Sequence, residues 1–188
     1  MAGWKQPPGS APARQWLKTV TEENEPHTFL AVDSKETRIV TLNLRGEEHA
    51  YELGTYDPRD WSLLSRNPVS DKIGIWDQLL FHPNESWLVL RSRNAILVWS
   101  ANDLDTEPKR IVPGKKELTS IAFHPSGRYP AATSNDETVK VYDTDTWQIA
   151  KTYAWNIGRL RSIAFSPDGM LAAAGSDTGR IIVWDVED

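Results

Sequence analysis

A long stretch of this chain that matches a later stretch of itself constrains the fold more than any other feature. Residues 118–143, LTSIAFHPSGRYPAATSNDETVKVYD, align without a gap on residues 160–185, LRSIAFSPDGMLAAAGSDTGRIIVWD, with 12 of 26 positions identical. Recurrence at a period of about 40 residues marks a repeat architecture, in which each unit buries its apolar face against the next. A third copy lies upstream. Phe81-His82-Pro83 stands one such period before Phe123-His124-Pro125, and AILVWS, ending at Ser100, falls where TVKVYD ends, one residue shorter in the preceding loop. A weaker copy covers residues 29–43, where Ser34, Arg38, Ile39 and Asn43 take the places of Ser176, Arg180, Ile181 and Asp185.

Each copy reads as short strands. Apolar runs rich in Val, Ile, Trp and Tyr are bounded by Pro-Ser-Gly, Pro-Asp-Gly, Ser-Asn-Asp or Ser-Asp-Thr-Gly, and helices would have to carry Gly and Pro in their interiors. Fifteen strands are expected: 15–20, 27–32, 38–44 and 49–56; 73–81, 87–91, 95–100 and 109–112; 118–124, 128–133, 138–143 and 148–154; 160–166, 170–175 and 180–186. The units are thus 15–56, 73–112, 118–154 and 160–188, the last stopping one strand short. Residues 1–14 read as a flexible, proline-rich N-terminus. Residues 57–72, with Asp57-Pro58 and Asn67-Pro68, read as an insertion loop. Pro130 falls inside an expected strand and should distort it.

Composition narrows the function classes. The formal charge of −5 argues against a dedicated nucleic-acid binder, which needs a concentrated excess of Lys and Arg. The absence of cysteine removes disulfides, thiol nucleophiles and zinc fingers. The N-terminal stretch lacks the apolar core of a secretory signal, and no later run approaches the ~20 apolar residues of a membrane span, so a cytoplasmic protein away from membranes is expected. No nucleophile elbow, His-Glu-x-x-His, P-loop or Gly-x-Gly-x-x-Gly motif occurs. No enzyme activity, catalytic residue, metal site or cofactor is expected. His82 and His124, in the same hairpin slot of consecutive units, read as surface turn residues.

Trp184-Asp185 closes the last copy, Tyr142-Asp143 and Trp99-Ser100 hold the same slot, and the hairpins read His-Pro-Ser-Gly and Ser-Pro-Asp-Gly. In these residues the chain resembles the WD-repeat (WD40) family of β-propellers. The resemblance implies an all-β fold: a WD40-like propeller fragment of about four four-stranded antiparallel blades, the last lacking its outer strand. It also implies a non-catalytic protein-interaction module or scaffold, or else a truncated fragment of a larger multidomain WD40 regulatory protein with its activity elsewhere. The family's Gly-His opening pair is absent. Its acidic partner survives as Asp136 and is replaced by Thr178 in the last unit, so looser loops are expected. Trp99, Tyr142 and Trp184 are expected to fill the space between blades.

The family binds partners on the loops entering the first strand of each blade and the loops between its second and third strands. By spacing, that face gathers Lys115, Lys116, Trp155, Asn156 and Arg159 with Arg93, Asn135, Asp136, Glu137 and Asp177. Trp155 either anchors a partner or packs on a neighbouring blade. The partner is an unspecified protein, and open blade edges invite self-association.

Overall fold

The computed structural model of the chain describes residues 27–45, 50–69, 76–84 and 86–186. The expected strand at 15–20 and the N-terminal 1–14 lie outside them. The described residues are all β. The strands are β1 His27–Val32, β2 Ile39–Arg45, β3 Ala50–Tyr56, β4 Leu63–Val69, β5 Trp76–Phe81, β6 Trp87–Ser92, β7 Ile96–Ser100, β8 Lys109–Ile111, β9 Leu118–Phe123, β10 Pro130–Ser134, β11 Thr138–Tyr142, β12 Ile149–Ala154, β13 Leu160–Phe165, β14 Leu171–Ser176 and β15 Ile181–Asp185. They form four antiparallel meanders in chain order, β1 to β4, β5 to β8, β9 to β12, and a three-stranded β13 to β15. First strands are neighbours, β1 beside β5 and β9 beside β13, so the sheets stand side by side as an open succession of blades.

The first unit corrects the sequence reading in two ways. The described part of the expected insertion loop at 57–72 is not a loop throughout, because β4 lies within it and pairs along β3 from Tyr51↔Val69 to Tyr56↔Leu63. The phase of the weak copy is also different. β1 is a first strand, so Asn43 does not hold the closing slot; Tyr56-Asp57 does. Tyr56-Asp57-Pro-Arg-Asp-Trp61 repeats the turn Tyr142-Asp143-Thr-Asp-Thr-Trp147, with Trp61 N–H bonding Asp57 O at 2.8 Å and Trp147 N–H bonding Asp143 O at 2.7 Å. Both tryptophans adopt positive φ, 64° and 57°. Likewise Glu36 (φ 55°) stands where Gly127 (φ 75°) and Gly169 (φ 77°) turn the later first hairpins. Pro130 does not distort its strand. It is the first residue of β10, where its missing N–H breaks no ladder bond, and the register shift falls at Thr133/Ser134 instead.

Strand alternation assigns each side chain to one interface. On β7, Leu97 and Trp99 pack toward the first blade with Val40, Leu42 and Leu53, while Ile96 and Val98 pack toward the third with Leu118, Ile121 and Tyr142. On β11 Tyr142 faces back and Val139 forward; on β15 Ile182 and Trp184 face back into the third interface. The recurring aromatics Trp99, Tyr142 and Trp184 therefore fill the spaces between blades. Fully burying residues of this size contributes about 1.5–3 kcal/mol each, and the blades hold together mainly through these faces.

The histidines of the first hairpins are buried, against the surface position expected for them. His82 and His124 are 4% and 6% exposed. The backbone N–H of Asn84 donates to His82 Nδ1 at 3.0 Å, which leaves Nε2 to carry the hydrogen and donate it to Gly127 O of the next blade at 2.6 Å. His124 repeats the contact, with Ser126 N–H on Nδ1 and Gly169 O 3.0 Å from Nε2. In the first blade Asp33 takes the slot. It accepts from Thr37 and Arg38, and Arg38 reaches across to Ala101 O and lies over the Phe81 ring. Successive blades are thus fastened hairpin to hairpin along one rim.

Candidate functional site

The opposite rim carries the loops on which the sequence places binding. Backbone bonds join these loops in pairs: Leu118 N–H to Arg93 O at 2.6 Å, Asn135 N–H to Glu117 O at 2.8 Å, and Asp177 N–H to Arg159 O at 2.9 Å. Side chains extend the linkage from blade to blade. Arg93 pairs with Glu117 at 3.9 Å, Asn135 Nδ2 donates to Glu117 at 3.0 Å, Arg161 donates to Asn135 Oδ1 at 3.0 Å, and Arg161 also meets Asp177 at 3.3 Å. This polar chain crosses the second, third and fourth blades. Its members are half-exposed, so each pair contributes little to stability, on the order of 0–1 kcal/mol. They can exchange partners at small cost.

Below the chain lies a polar cavity of about 330 Å³ lined by Asp77, Arg91, Arg93, Glu117, Thr119 and Arg161, among others. Arg91 forms its floor at 5% exposure, with Asp77 at 3.4 Å and Leu118 O at 3.0 Å as acceptors. Burial lowers the Arg91 pKa and Asp77 opposes that, and a guanidinium stays charged under either influence. Gln78 steadies the floor by bonding both the N–H and the carbonyl of Ile121 on the neighbouring first strand, at 3.1 and 2.9 Å.

Of the residues expected on this face, Arg93, Asn135 and Asp177 are in the chain, and Arg159 contributes its backbone. Lys115, Lys116, Asn156 and Arg159 are exposed along the same loops. Asp136 and Glu137 sit in the β10–β11 turn, Glu137 at φ 66°. Asp136 bonds Thr138 and the Lys140 ammonium of its own hairpin. Burial acts to raise the Asp136 pKa, but the bonds from Lys140 and Thr138 outweigh it and hold the carboxyl below its ordinary range. Thr178 donates to Ile157 O at 2.7 Å. Of the two loops expected to be loose, that of Thr178 is tied to the preceding loop and that of Asp136 is braced within its own turn. Trp155 is half-buried in the third interface, stacked on Tyr153 at 5.3 Å and 4.7 Å from Trp184. Arg161 and Asp77 were missed by sequence reasoning; the available signal was Arg161 standing where the preceding repeat has Thr119. Among the described residues no group of three or more His, Asp or Glu could hold a metal ion, and no helix is long and apolar enough to cross a membrane.

Residues 106–143 and 150–185 match the family described as WD domain, G-beta repeat, so the chain carries two WD40 repeats. A ribosome biogenesis protein, ERB1, of Meyerozyma guilliermondii is 30% identical over 82 residues. That match covers 44% of this chain and only 10% of that protein's length. Repeats of this kind imply a protein-interaction module.

Proposed function

Starting from the two WD40 repeats of this chain, we propose that it is a non-catalytic scaffold that captures a protein partner on the loop rim of its second, third and fourth blades. The observation that carries this reading is the exposed polar chain from Arg93 to Asp177, held on rigid blades yet contributing little to their stability. A rim of alternating charge suits a partner surface of mixed sign, for which the charges set register and association rate. Lys115, Lys116, Asn156 and Arg159 extend it. Trp155, half-buried against Tyr153 and Trp184, serves the blade interface more than the partner.

The test is affinity capture from a lysate of the source cells with wild type, an Arg161→Glu/Lys115→Glu double variant and Trp155→Ala. A partner retained by wild type and Trp155→Ala but lost with the double variant is the expected result. Equal capture by all three would remove the rim from consideration. The exposed apolar side chains of the fourth blade, Ile181 and Val183, further lead us to expect self-association. A second reading, that these blades form part of a larger regulatory protein, is favoured by the relative being far longer than the segment it shares. Further repeats of the same period in the adjoining genomic sequence would support it.

A further inference from the structure

Between the second and third blades the outer seat is apolar and holds a tryptophan. Trp147, 4% exposed, lies among Trp87, Val89, Val98, Ile111 and Tyr142, and Lys109 Nζ donates to Thr146 O, the carbonyl just before it, at 2.6 Å. Strand pairing locates the same seat one blade back. The bond from Asp33 N–H to Arg38 O matches that from His82 N–H to Trp87 O. The pairs Val40↔Thr55 and Thr55↔Ser65 match Val89↔Val98 and Val98↔Lys109, and Leu53↔Asn67 matches Ile96↔Ile111. Leu104 stands one repeat period before Trp147 and packs into the first interface.

Arg38, Thr55, Ser65 and Asn67 therefore replace Trp87, Val98, Lys109 and Ile111, and a leucine replaces the indole. With Asp103 and Asp105 of the β7–β8 loop these residues line a cavity of about 250 Å³ at the hairpin rim. Both blades that wall it have four described strands, so the space comes from shorter side chains in the seat and not from an open sheet edge. The exchange alters charge as well as size. Ser65 removes the ammonium that Lys109 supplies one blade later, while Asp103 and Asp105, one period before Thr146 and Gln148, bring two carboxylates. Arg38 is the one cation among the lining residues and is already engaged, its Nε 3.5 Å from Asp33 and its Nη1 donating to Ala101 O. Asn67, 3% exposed, donates to Asp105 and accepts from Ser65 Oγ. Thr55, 6% exposed, lines the same wall, and its buried Oγ1 has no hydrogen-bond partner among the described residues.

We propose that this seat is a receptor for an alkylammonium group, the group that Lys109 supplies at the next seat. Three N–H donors meet acceptors in Thr55 Oγ1, Ser65 Oγ and the carboxylates of Asp103 and Asp105, and an excess of negative charge between low-dielectric walls draws a cation in. A guanidinium is the poorer guest, because its planar fork would crowd the guanidinium of Arg38. The ammonium is the same on a lysine side chain of a protein and on a free amine. The site is apart from the loop rim and does not depend on the rim's partner.

The test titrates the whole nitrogen-15-labelled chain with Nα-acetyl-lysine methylamide and with cadaverine, reading amide shifts at residues 65–67 and 102–105. Saturable shifts are expected there. Tighter binding of cadaverine assigns a free amine; equal or tighter binding of the lysine amide assigns a protein side chain. Acetylating the lysine Nζ removes the charge and should weaken binding at least about tenfold, as should Asp103→Asn with Asp105→Asn in the protein. Ser65→Lys brings an ammonium into the seat from within the chain, and should abolish binding without lowering the urea midpoint. Arg161→Glu on the loop rim should leave binding unchanged. The assignment is overturned by the absence of saturable shifts at these residues, as when the protein fills the seat itself, by equal affinity for the acetylated ligand, or by undiminished binding to Ser65→Lys. A lowered midpoint in Ser65→Lys, a loss of binding in Arg161→Glu, or a preference for Nα-acetyl-arginine methylamide would overturn it as well.

Discussion

At Gly169 the backbone of the fourth blade passes so close to His124 that a Cβ would lie 2.4 Å from its Nε2, and φ there is +77°. The close approach requires glycine and the positive φ favours it. Gly169→Ala should lower the unfolding free energy by about 2 kcal/mol or more, read from the urea midpoint, and a neutral result would disprove the fastening. His124→Ala strands the Gly169 carbonyl and should cost about 1–2 kcal/mol. In the double variant the losses should fall short of additive, since the alanine then has room. Asp57 makes a second residue-scale prediction. The Arg59 guanidinium and backbone N–H hold its carboxyl down, at about 2. A folded-state pKa below the unfolded value of about 3.9 gives stability that is full above that value and is lost as the pH falls from about 5 to about 2. Burial acts to raise Asp33, but bonds from Thr37 and Arg38 overcome it; Asp143 is lowered by bonds from Thr146. Asp57→Asn should therefore show a smaller drop in urea midpoint between pH 6 and pH 3 than wild type shows. Equal drops would mean that Asp57 does not carry this part of the acid response.

Among the elements, the two ends of β12 carry tryptophans of different weight. Trp147 is enclosed by two blades, and Trp147→Ala should destabilise by about 3–5 kcal/mol, as a buried large-to-small change does. Trp155 is half-exposed on its stack, so Trp155→Ala should cost about 1–2 kcal/mol in the same denaturation series. Similar losses would mean that the two seats are not ranked by enclosure. The turn at Trp147 also explains the strand that sequence reading missed. Pro68 inside a run demotes it to loop, yet β4 is the outermost strand of its sheet and pairs only with β3, so Pro68, opposite Glu52, gives up no bond. The match of Tyr56-Asp57 and Trp61 to Tyr142-Asp143 and Trp147 was present in the sequence. It was hidden by the stronger similarity of Ser34 and Arg38 to the last repeat.

For the molecule as a whole, strand alternation makes every blade two-faced, and three of the faces that point along the succession are covered by the next blade. The fourth is not. Ile181 and Val183 are 75% and 58% exposed, whereas their counterparts Val139 and Val141 pack against the fourth blade. Ile181→Lys with Val183→Lys should raise the monomer share in light-scattering chromatography without lowering the urea midpoint. Unchanged association would place the contact elsewhere. The loop rim and the fastened hairpin rim lie at opposite ends of the same strands. Substitutions on the loop rim are accordingly expected to change binding before stability, and on the hairpin rim stability before binding.

The internal recurrence and the period-2 apolar pattern by themselves determined the strands of the later three units, their grouping into blades and the inward place of Trp99, Tyr142 and Trp184, because these follow from local propensity and repetition. The histidine fastenings and the polar chain through Arg161 were decided only in the tertiary structure. Each is a contact between one blade and the next or between distant turns, and its energy depends on how two surfaces meet, a relation that no single stretch of residues contains.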